Sequence, residues 1–97
     1  MDEVQYRSLD PTGDVDVVHL WVWSGLHLRV RTHSLGGWAS TNVEITTCSG
    51  TYSETDGGET TIEWTSDCDE VAVITVSSAN GYFGPGETYA LEVNQLP

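Results

Sequence analysis

Apolar residues alternate with other residues along two stretches near the start of the chain. In the first stretch, Val18, Leu20 and Val22 occupy every second position, and Leu28 and Val30 do the same in the second. A period of two places such side chains on one face of a β-strand. The pattern therefore predicts two half-buried strands in the first third of the chain.

The same alternation, interrupted by turn-forming Gly, Pro, Asn and Asp residues, predicts further strands. The predicted strands are Val4–Ser8, Asp16–Trp23, Leu26–His33, Thr41–Thr47, Thr60–Thr65, Glu70–Ser77 and Thr88–Val93. No stretch has the period of 3.6 that is typical of an amphipathic helix. Seven or eight short strands at this spacing predict an all-β fold, an antiparallel two-sheet β-sandwich of the jelly-roll or immunoglobulin-like kind.

The alternation also predicts which side chains fill the core. Besides the residues of the first two strands, the inward positions are Val43, Ile45, Ile62, Trp64, Tyr89, Leu91 and Val93. The run from Val71 to Val76 is apolar at nearly every position, which predicts a central strand but leaves its facing open.

Length and composition predict one small domain with a modest core, because the chain has 97 residues and 38% hydrophobic residues. No apolar run approaches the roughly 18 residues of a membrane-spanning helix, so membrane insertion is not expected. Met1-Asp2-Glu3 has neither the basic start nor the apolar middle of a secretory signal. Either the chain is intracellular, or residues 1–97 are a trimmed module of a larger exported protein with an added Met, and we expect the second.

The charge is strongly one-sided, with 15 acidic residues against three basic ones and a net charge of −12. There is no lysine, and the segment from Val43 to Pro97 contains no basic residue or histidine. Such a surface repels nucleic acids and anionic membranes, so neither is an expected partner. An acidic, solvated surface of this kind is also typical of proteins from a saline habitat.

Cys48 and Cys68 are the only cysteines, and they follow no metal-binding spacing. A disulfide between them would stabilise the fold by roughly 3 kcal/mol in the chain-entropy model. The alternative is two buried free thiols. The disulfide is the stronger prediction, and it implies an oxidising compartment, extracellular or on the cell surface.

The order of several short motifs resembles one known family. Asp14-Val15-Asp16 precedes the first alternating strand, Asn42-Val43-Glu44-Ile45 precedes a turn at Ser49-Gly50, and Gly84-Pro85-Gly86 precedes Tyr89-Ala90-Leu91-Glu92-Val93. In this order the chain resembles the bacterial pre-peptidase C-terminal (PPC) domain, a small β-sandwich, from Asp14 to Val93. One motif departs from the family: its penultimate strand usually begins with Gly-x-Tyr, whereas this chain has Asp69-Glu70-Val71-Ala72.

The resemblance implies a non-catalytic accessory module of a secreted or cell-surface protein. Such modules aid attachment to a substrate or partner, or the folding and secretion of the parent protein. Two alternatives stay open: a free-standing carbohydrate-binding module that uses Trp21, Trp23 and Trp38, and a structural or assembly protein from a saline habitat.

A candidate ligand-binding face lies on the outward side of the first two strands. If these strands are neighbours, one surface contains His19, Trp21, Trp23, His27, Arg29 and Arg31. Exposed tryptophan beside arginine suits a polysaccharide, an extracellular protein or a neighbouring domain of the parent. In the alternative interpretation a loop covers this face, or the two arginines pair with the abundant acidic residues.

Other chemistry is weakly indicated. Asp14 and Asp16 are the first candidates for a calcium site, and their alternative role is to cap the opening turn. Ser24 and His27 lie close in sequence, but no acidic residue is placed to orient the imidazole and no Gly-x-Ser-x-Gly motif is present. We therefore expect that the protein is not an enzyme.

Overall fold

The alternating stretches form eight antiparallel strands in the computed structural model. The structure describes residues 2–9, 15–37, 39–55, 59–81, 83–84 and 86–97. The strands are β1 (Asp2–Ser8), β2 (Val15–Val22), β3 (His27–His33), β4 (Thr41–Thr47), β5 (Gly50–Thr55), β6 (Thr60–Thr65), β7 (Glu70–Ser78) and β8 (Thr88–Gln95). Each of the seven predicted strands is present, and their bounds agree to within two residues at each end.

The eight strands form two four-stranded sheets. The first, sheet A, has the order β1-β8-β3-β6, and the second, sheet B, has the order β2-β7-β4-β5. Within the described strands, only β4 and β5 follow each other in the same sheet; every other connection crosses between the sheets. This order is that of a jelly roll, so the prediction of an antiparallel two-sheet sandwich is confirmed.

The core lies between the sheets and contains the side chains that the alternation predicted. Val22, Leu28, Val30, Ile45, Leu91 and the other predicted inward residues are buried, apart from Val18 and Leu20, which are half-buried against the cluster. In the strand whose facing was open, β7, alternate residues point inward. They are Ala72, Ile74 and Val76, all fully buried.

Strand β5 is absent from the sequence-based prediction. It pairs with β4 only, so it is an edge strand, and Tyr52 is its one large apolar residue. The described side chains of β5 are exposed. Because an edge strand that is exposed to solvent on both faces buries no apolar side chains, its sequence shows no alternation of apolar and polar residues.

Strand β1 is an edge of sheet A and β2 is an edge of sheet B. Both lie on the side of the sandwich opposite the other two edges, β6 and β5. An ion pair joins these two edges, because Arg7 Nη1 lies 3.6 Å from Asp16 Oδ1. The hydroxyl of Tyr89, on β8, donates a hydrogen bond to the same carboxylate. Asp16 therefore links the two sheets where their edges come together.

Cys48 and Cys68 form a disulfide with an S–S distance of 2.14 Å, as predicted. The bond joins the turn between β4 and β5 to the turn between β6 and β7. A disulfide weakly favours an oxidising environment. Among the described residues, no helix has the length and apolar character needed to cross a membrane.

Candidate binding surfaces

The six residues predicted to form one ligand-binding face do not form one. Strand β2 belongs to sheet B and β3 to sheet A, so they are not neighbours in a sheet. His19 and Trp21 lie on the outer face of sheet B, whereas His27, Arg29 and Arg31 lie on the outer face of sheet A. The prediction of a shared surface was wrong because the chain crosses between the sheets at Gly25 instead of making a hairpin.

The outward residues of β3 are held by partners on the two neighbouring strands. Arg29 donates to Asn94 Oδ1 at 2.9 Å, and Arg31 donates to the Glu92 carboxylate at 3.2 Å. The Nε2 atom of His27 lies 3.9 Å from Glu63 Oε1. This part of the predicted face is thus a ladder of cross-strand pairs. Arg31 pairs with an acidic residue, as in the alternative that the sequence left open, whereas Arg29 bonds to the amide of Asn94.

Glu92 is the centre of that ladder. It accepts hydrogen bonds from Arg31 and from His33, whose Nε2 lies 2.8 Å from Oε1. Burial raises the pKa of the Glu92 carboxyl, but hydrogen bonds from His33, Arg31 and Asn94 outweigh that effect, so the pKa is lower than its ordinary value of 4.5. The Glu92 carboxylate is therefore ionised at neutral pH in the folded protein.

The outer face of β2 and the adjoining part of β7 is apolar and exposed. Trp21 pairs with Val71 across the two strands, and His19 pairs with Val73. We call this surface the β2–β7 face; its outward residues are Val15, Val17, His19, Trp21, Val71 and Val73. Trp21 is 58% exposed, and Val15, Val17 and Val71 are about half exposed, so no part of the described chain covers them fully.

Polar and acidic groups border the β2–β7 face. On the next strand, Thr46 lies opposite Val73 and Glu44 lies opposite Thr75. At the far end of β2, the backbone N–H of Ser24 donates to Asp69 Oδ1 at 2.9 Å. An apolar centre with a polar rim is the usual composition of a protein–protein interface.

Trp23 and Trp38 are the other two tryptophans of the predicted carbohydrate site. Trp23 follows the end of β2, is 45% exposed, and its carbonyl accepts from the backbone N–H of Leu26 in the turn to β3. Trp38 lies outside the described residues. Trp64, predicted to be the core tryptophan, is buried.

Of the two predicted calcium ligands, only Asp16 lies among the described residues. Asp14 lies outside the described residues, and the Asp16 carboxylate is held by Arg7 and Tyr89. Within the described chain, one group of three metal-type ligands comes together, Cys48, Cys68 and Glu70. Two of these form the disulfide, and Glu70 accepts from the backbone N–H of Cys48 at 3.0 Å. Calcium at Asp14 and Asp16 stays a prediction.

One polar array was missed at the sequence level. Glu92 Oε1 lies 2.8 Å from His33 Nε2, and His33 Nδ1 lies 2.8 Å from the hydroxyl of Ser34. The carboxylate is 59 residues from the imidazole in sequence, so only the pairing of β3 with β8 brings them together. No local spacing signal could have identified this array.

The array has the order of groups of a nucleophilic triad, but its surroundings oppose acyl transfer. The backbone N–H of Ser34 donates to Glu59 Oε2 at 3.1 Å. A carboxylate at that position would repel the oxyanion that such a reaction generates. The array is better suited to hold the Ser34 hydroxyl in one orientation.

No protein-family model matches this chain, and no curated protein matches it in sequence.

Proposed function

We propose that the chain is a non-catalytic accessory module of a larger exported protein, and that its β2–β7 face binds a protein surface, either on a substrate or partner protein or on a neighbouring domain of the parent. The observation that carries this proposal is the concentration of exposed apolar side chains on one face. Trp21, Val15, Val17 and Val71 all lie there, in a chain whose overall charge is −12. A contiguous exposed apolar patch with a polar rim is typical of an interaction site.

The contrast with the other edge of sheet B strengthens this inference. Strand β5 is also an edge, yet its outward positions are polar, and only Tyr52 is a large apolar residue. In natural proteins, polar or charged side chains on edge strands commonly prevent pairing with another chain, and β5 has such side chains. Strand β2 instead presents valines and a tryptophan, which supports a role in contact.

The charge of the chain favours a partner of a particular kind. Glu44 and Asp69 border the β2–β7 face, and two copies of a chain with a net charge of −12 repel each other. We therefore propose that the occupant is a different protein surface, with an apolar centre and a basic rim. A neighbouring domain of the parent or a substrate protein satisfies this description.

The extracellular or cell-surface location is part of the same proposal. The Cys48–Cys68 disulfide persists in oxidising compartments, and the resemblance to PPC domains points to exported proteins. The resemblance rests on the motif order given above, and the two-sheet sandwich is compatible with it.

The composition of the β2–β7 face does not favour a sugar there. Carbohydrate sites combine an aromatic ring with several hydrogen-bonding groups placed around it. In the pairing of β2 with β7, the residue opposite Trp21 is Val71, and Val73 lies opposite His19. The aliphatic side chains of Val71 and Val73 provide contact area for a protein, and neither offers a hydrogen-bonding partner to a sugar stacked on Trp21.

The proposal is tested by photo-crosslinking in cells that make the full parent protein. A benzophenone amino acid replaces Trp21 in one variant and Tyr52, on the opposite edge of the sheet, in a matched control. We expect the variant at position 21 to cross-link to one discrete protein, or to another domain of the parent, and the control to give no such product.

Two outcomes would contradict the proposal. One is equal cross-linking from both positions, which would show that the β2–β7 face has no special contact. The other is cross-linking from position 21 to carbohydrate alone or to a second copy of the same chain, which would assign a different occupant to the face.

A further inference from the structure

A second surface lies on the opposite side of the sandwich, on the outer face of sheet A. A shallow cleft of about 490 Å³ opens there, where β1, β8 and the end of β3 meet. Its lining is made by Tyr6, Arg7, Ser8, Ser34, Thr88 and Tyr89. We call it the Tyr6 cleft.

The pairing of the strands explains why a depression forms at this place. Tyr6 on β1 and His33 on β3 both lie opposite Ala90 on β8. Ala90 is small and fully buried, so its side chain does not fill the space between the two larger ones. Tyr6 is 80% exposed, which leaves its ring available as a wall for a ligand.

Hydroxyl groups surround the ring. Ser8 and Thr88 are direct partners on β1 and β8 and lie next to the row that contains Tyr6. On the other side of the cleft, the hydroxyl of Ser34 is held by His33, which is held in turn by Glu92. An oriented hydroxyl can exchange hydrogen bonds with a ligand without first losing rotational freedom.

The backbone at Ser34 is unusual in a way that belongs to this cleft. Ser34 has a φ of 57°, and among the described residues it is the one non-glycine with a positive φ. L-residues reach this left-handed conformation only at an energetic cost. Strained residues cluster at ligand-binding sites, and the hydrogen bond from Ser34 N–H to Glu59 keeps this one in place.

We infer that the Tyr6 cleft binds a neutral sugar residue of a polysaccharide. One face of a pyranose ring would pack on the Tyr6 ring, and the sugar hydroxyls would bond to Ser8, Ser34 and Thr88. The inference goes beyond the proposed function, because it concerns the opposite sheet and a ligand of another class.

Charge decides between neutral and acidic sugars. The two arginines nearest the cleft are already engaged, Arg7 by Asp16 and Arg31 by Glu92. The chain as a whole has a net charge of −12, which repels carboxylated or sulfated polymers. A neutral sugar meets neither obstacle.

The test is a titration of the whole chain, isotopically labelled, with oligosaccharides while amide resonances are followed by NMR. One arm contains neutral gluco-, manno- and galacto-oligosaccharides and oligomers of N-acetylglucosamine. The other contains oligomers of a uronic acid and of a sulfated sugar. We expect at least one neutral ligand to shift the amides of Tyr6, Ser34 and Thr88, and the acidic ligands to leave them unchanged.

Two variants make the result specific to the cleft. Tyr6→Ala is expected to weaken the binding of the neutral ligand about tenfold, the scale of a lost aromatic contact. Tyr52→Ala, which removes an exposed tyrosine from β5, is expected to leave it unchanged. Melting curves of both variants check that the fold is intact.

The inference is overturned if no neutral ligand shifts these amides, if only the acidic ligands do so, or if the two tyrosine variants weaken binding equally. Its failure is distinguishable from failure of the proposed function, since a variant at Trp21 leaves the Tyr6 cleft unaltered. Conversely, Tyr6→Ala leaves the β2–β7 face intact.

Discussion

Glu92 shows how single residues of this acidic chain are put to structural use. Its carboxylate accepts hydrogen bonds from Arg31 and from His33, which lie two residues apart on the neighbouring strand β3. The net result is a pKa below the ordinary value of 4.5 for this carboxyl. Because the folded state favours the ionised form, the pairing contributes to stability at neutral pH.

The sign of this effect gives a prediction. A carboxyl whose pKa is lowered by folding stabilises the fold above its unfolded pKa, and the contribution is lost as pH falls through the folded pKa. Glu92→Gln should therefore lower the free energy of unfolding at neutral pH, and this deficit should shrink at about pH 3. Urea denaturation at both pH values measures it.

Glu63→Gln provides the matched control, because the Glu63 side chain is exposed and its Oε1 lies 3.9 Å from Nε2 of His27. We expect this variant to follow the wild type closely at both pH values. A deficit for Glu92→Gln that is the same at neutral and acidic pH would contradict the ionic account of Glu92.

At the scale of the elements, the two sheets are joined by buried hydroxyls as well as by apolar packing. Thr41 on β4 faces Thr32 on β3, with 2.6 Å between their hydroxyl oxygens. Thr60 on β6 donates its hydroxyl to the Thr41 carbonyl at 3.0 Å. All three threonines are buried, and Thr32 Oγ1 also accepts from the backbone N–H of Thr60 at 3.1 Å, so the three residues form one connected group of buried hydrogen bonds.

Removal of one hydroxyl from this group is expected to be costly. Thr41→Val leaves the buried hydroxyl of Thr32 without that partner and should destabilise the fold by about 1–3 kcal/mol. Thr61→Val, at an exposed position of β6, should change stability by less than about 0.5 kcal/mol. Denaturant midpoints of the two variants make the comparison, and equal midpoints would contradict it.

The disulfide acts on the connections between elements. It joins two turns that are 20 residues apart in sequence, and a closed loop of that length stabilises a fold by about 3 kcal/mol. The Cys48→Ala/Cys68→Ala variant should therefore melt about 12–24 °C below the wild type. Wild-type protein under reducing conditions should match the variant, and an unchanged melting temperature would contradict the expectation.

The elements also show what the sequence could predict. Alternation identified β2, β3, β4, β6 and β8, because each of these strands has one face in the core and one in solvent. It could not identify β5, whose described side chains are exposed, and it could not assign the facing of β7. Periodicity reports burial, and it does so only where burial is one-sided.

The site was harder to predict than the fold. Trp21 and Arg29 are outward residues on β2 and β3, two strands that follow each other in sequence. The sequence does not show which strands pair in a sheet. The assumption that β2 and β3 are neighbours placed the two residues together, whereas the crossing between sheets separates them. The Tyr6 cleft depends on β1, β8 and β3 and has no local signature.

At the scale of the whole molecule, the net charge of −12 works against compactness. Salt screens such repulsion, with a Debye length of about 8 Å at 0.15 M. The melting temperature is therefore expected to rise from low to physiological ionic strength. Calcium and magnesium chlorides of equal ionic strength separate screening from binding: an equal rise would indicate screening alone, and a larger rise with calcium would indicate the site predicted at Asp14 and Asp16.

The most direct test of the proposed function is a calorimetric titration of the cross-linked partner, once purified, against the wild type and two variants. Trp21→Ser should weaken binding at least about tenfold, because a central tryptophan contributes more than about 1.4 kcal/mol to an interface. Tyr52→Ser should leave the affinity unchanged. Equal affinities for Trp21→Ser and the wild type would contradict the assignment of the β2–β7 face as the binding surface.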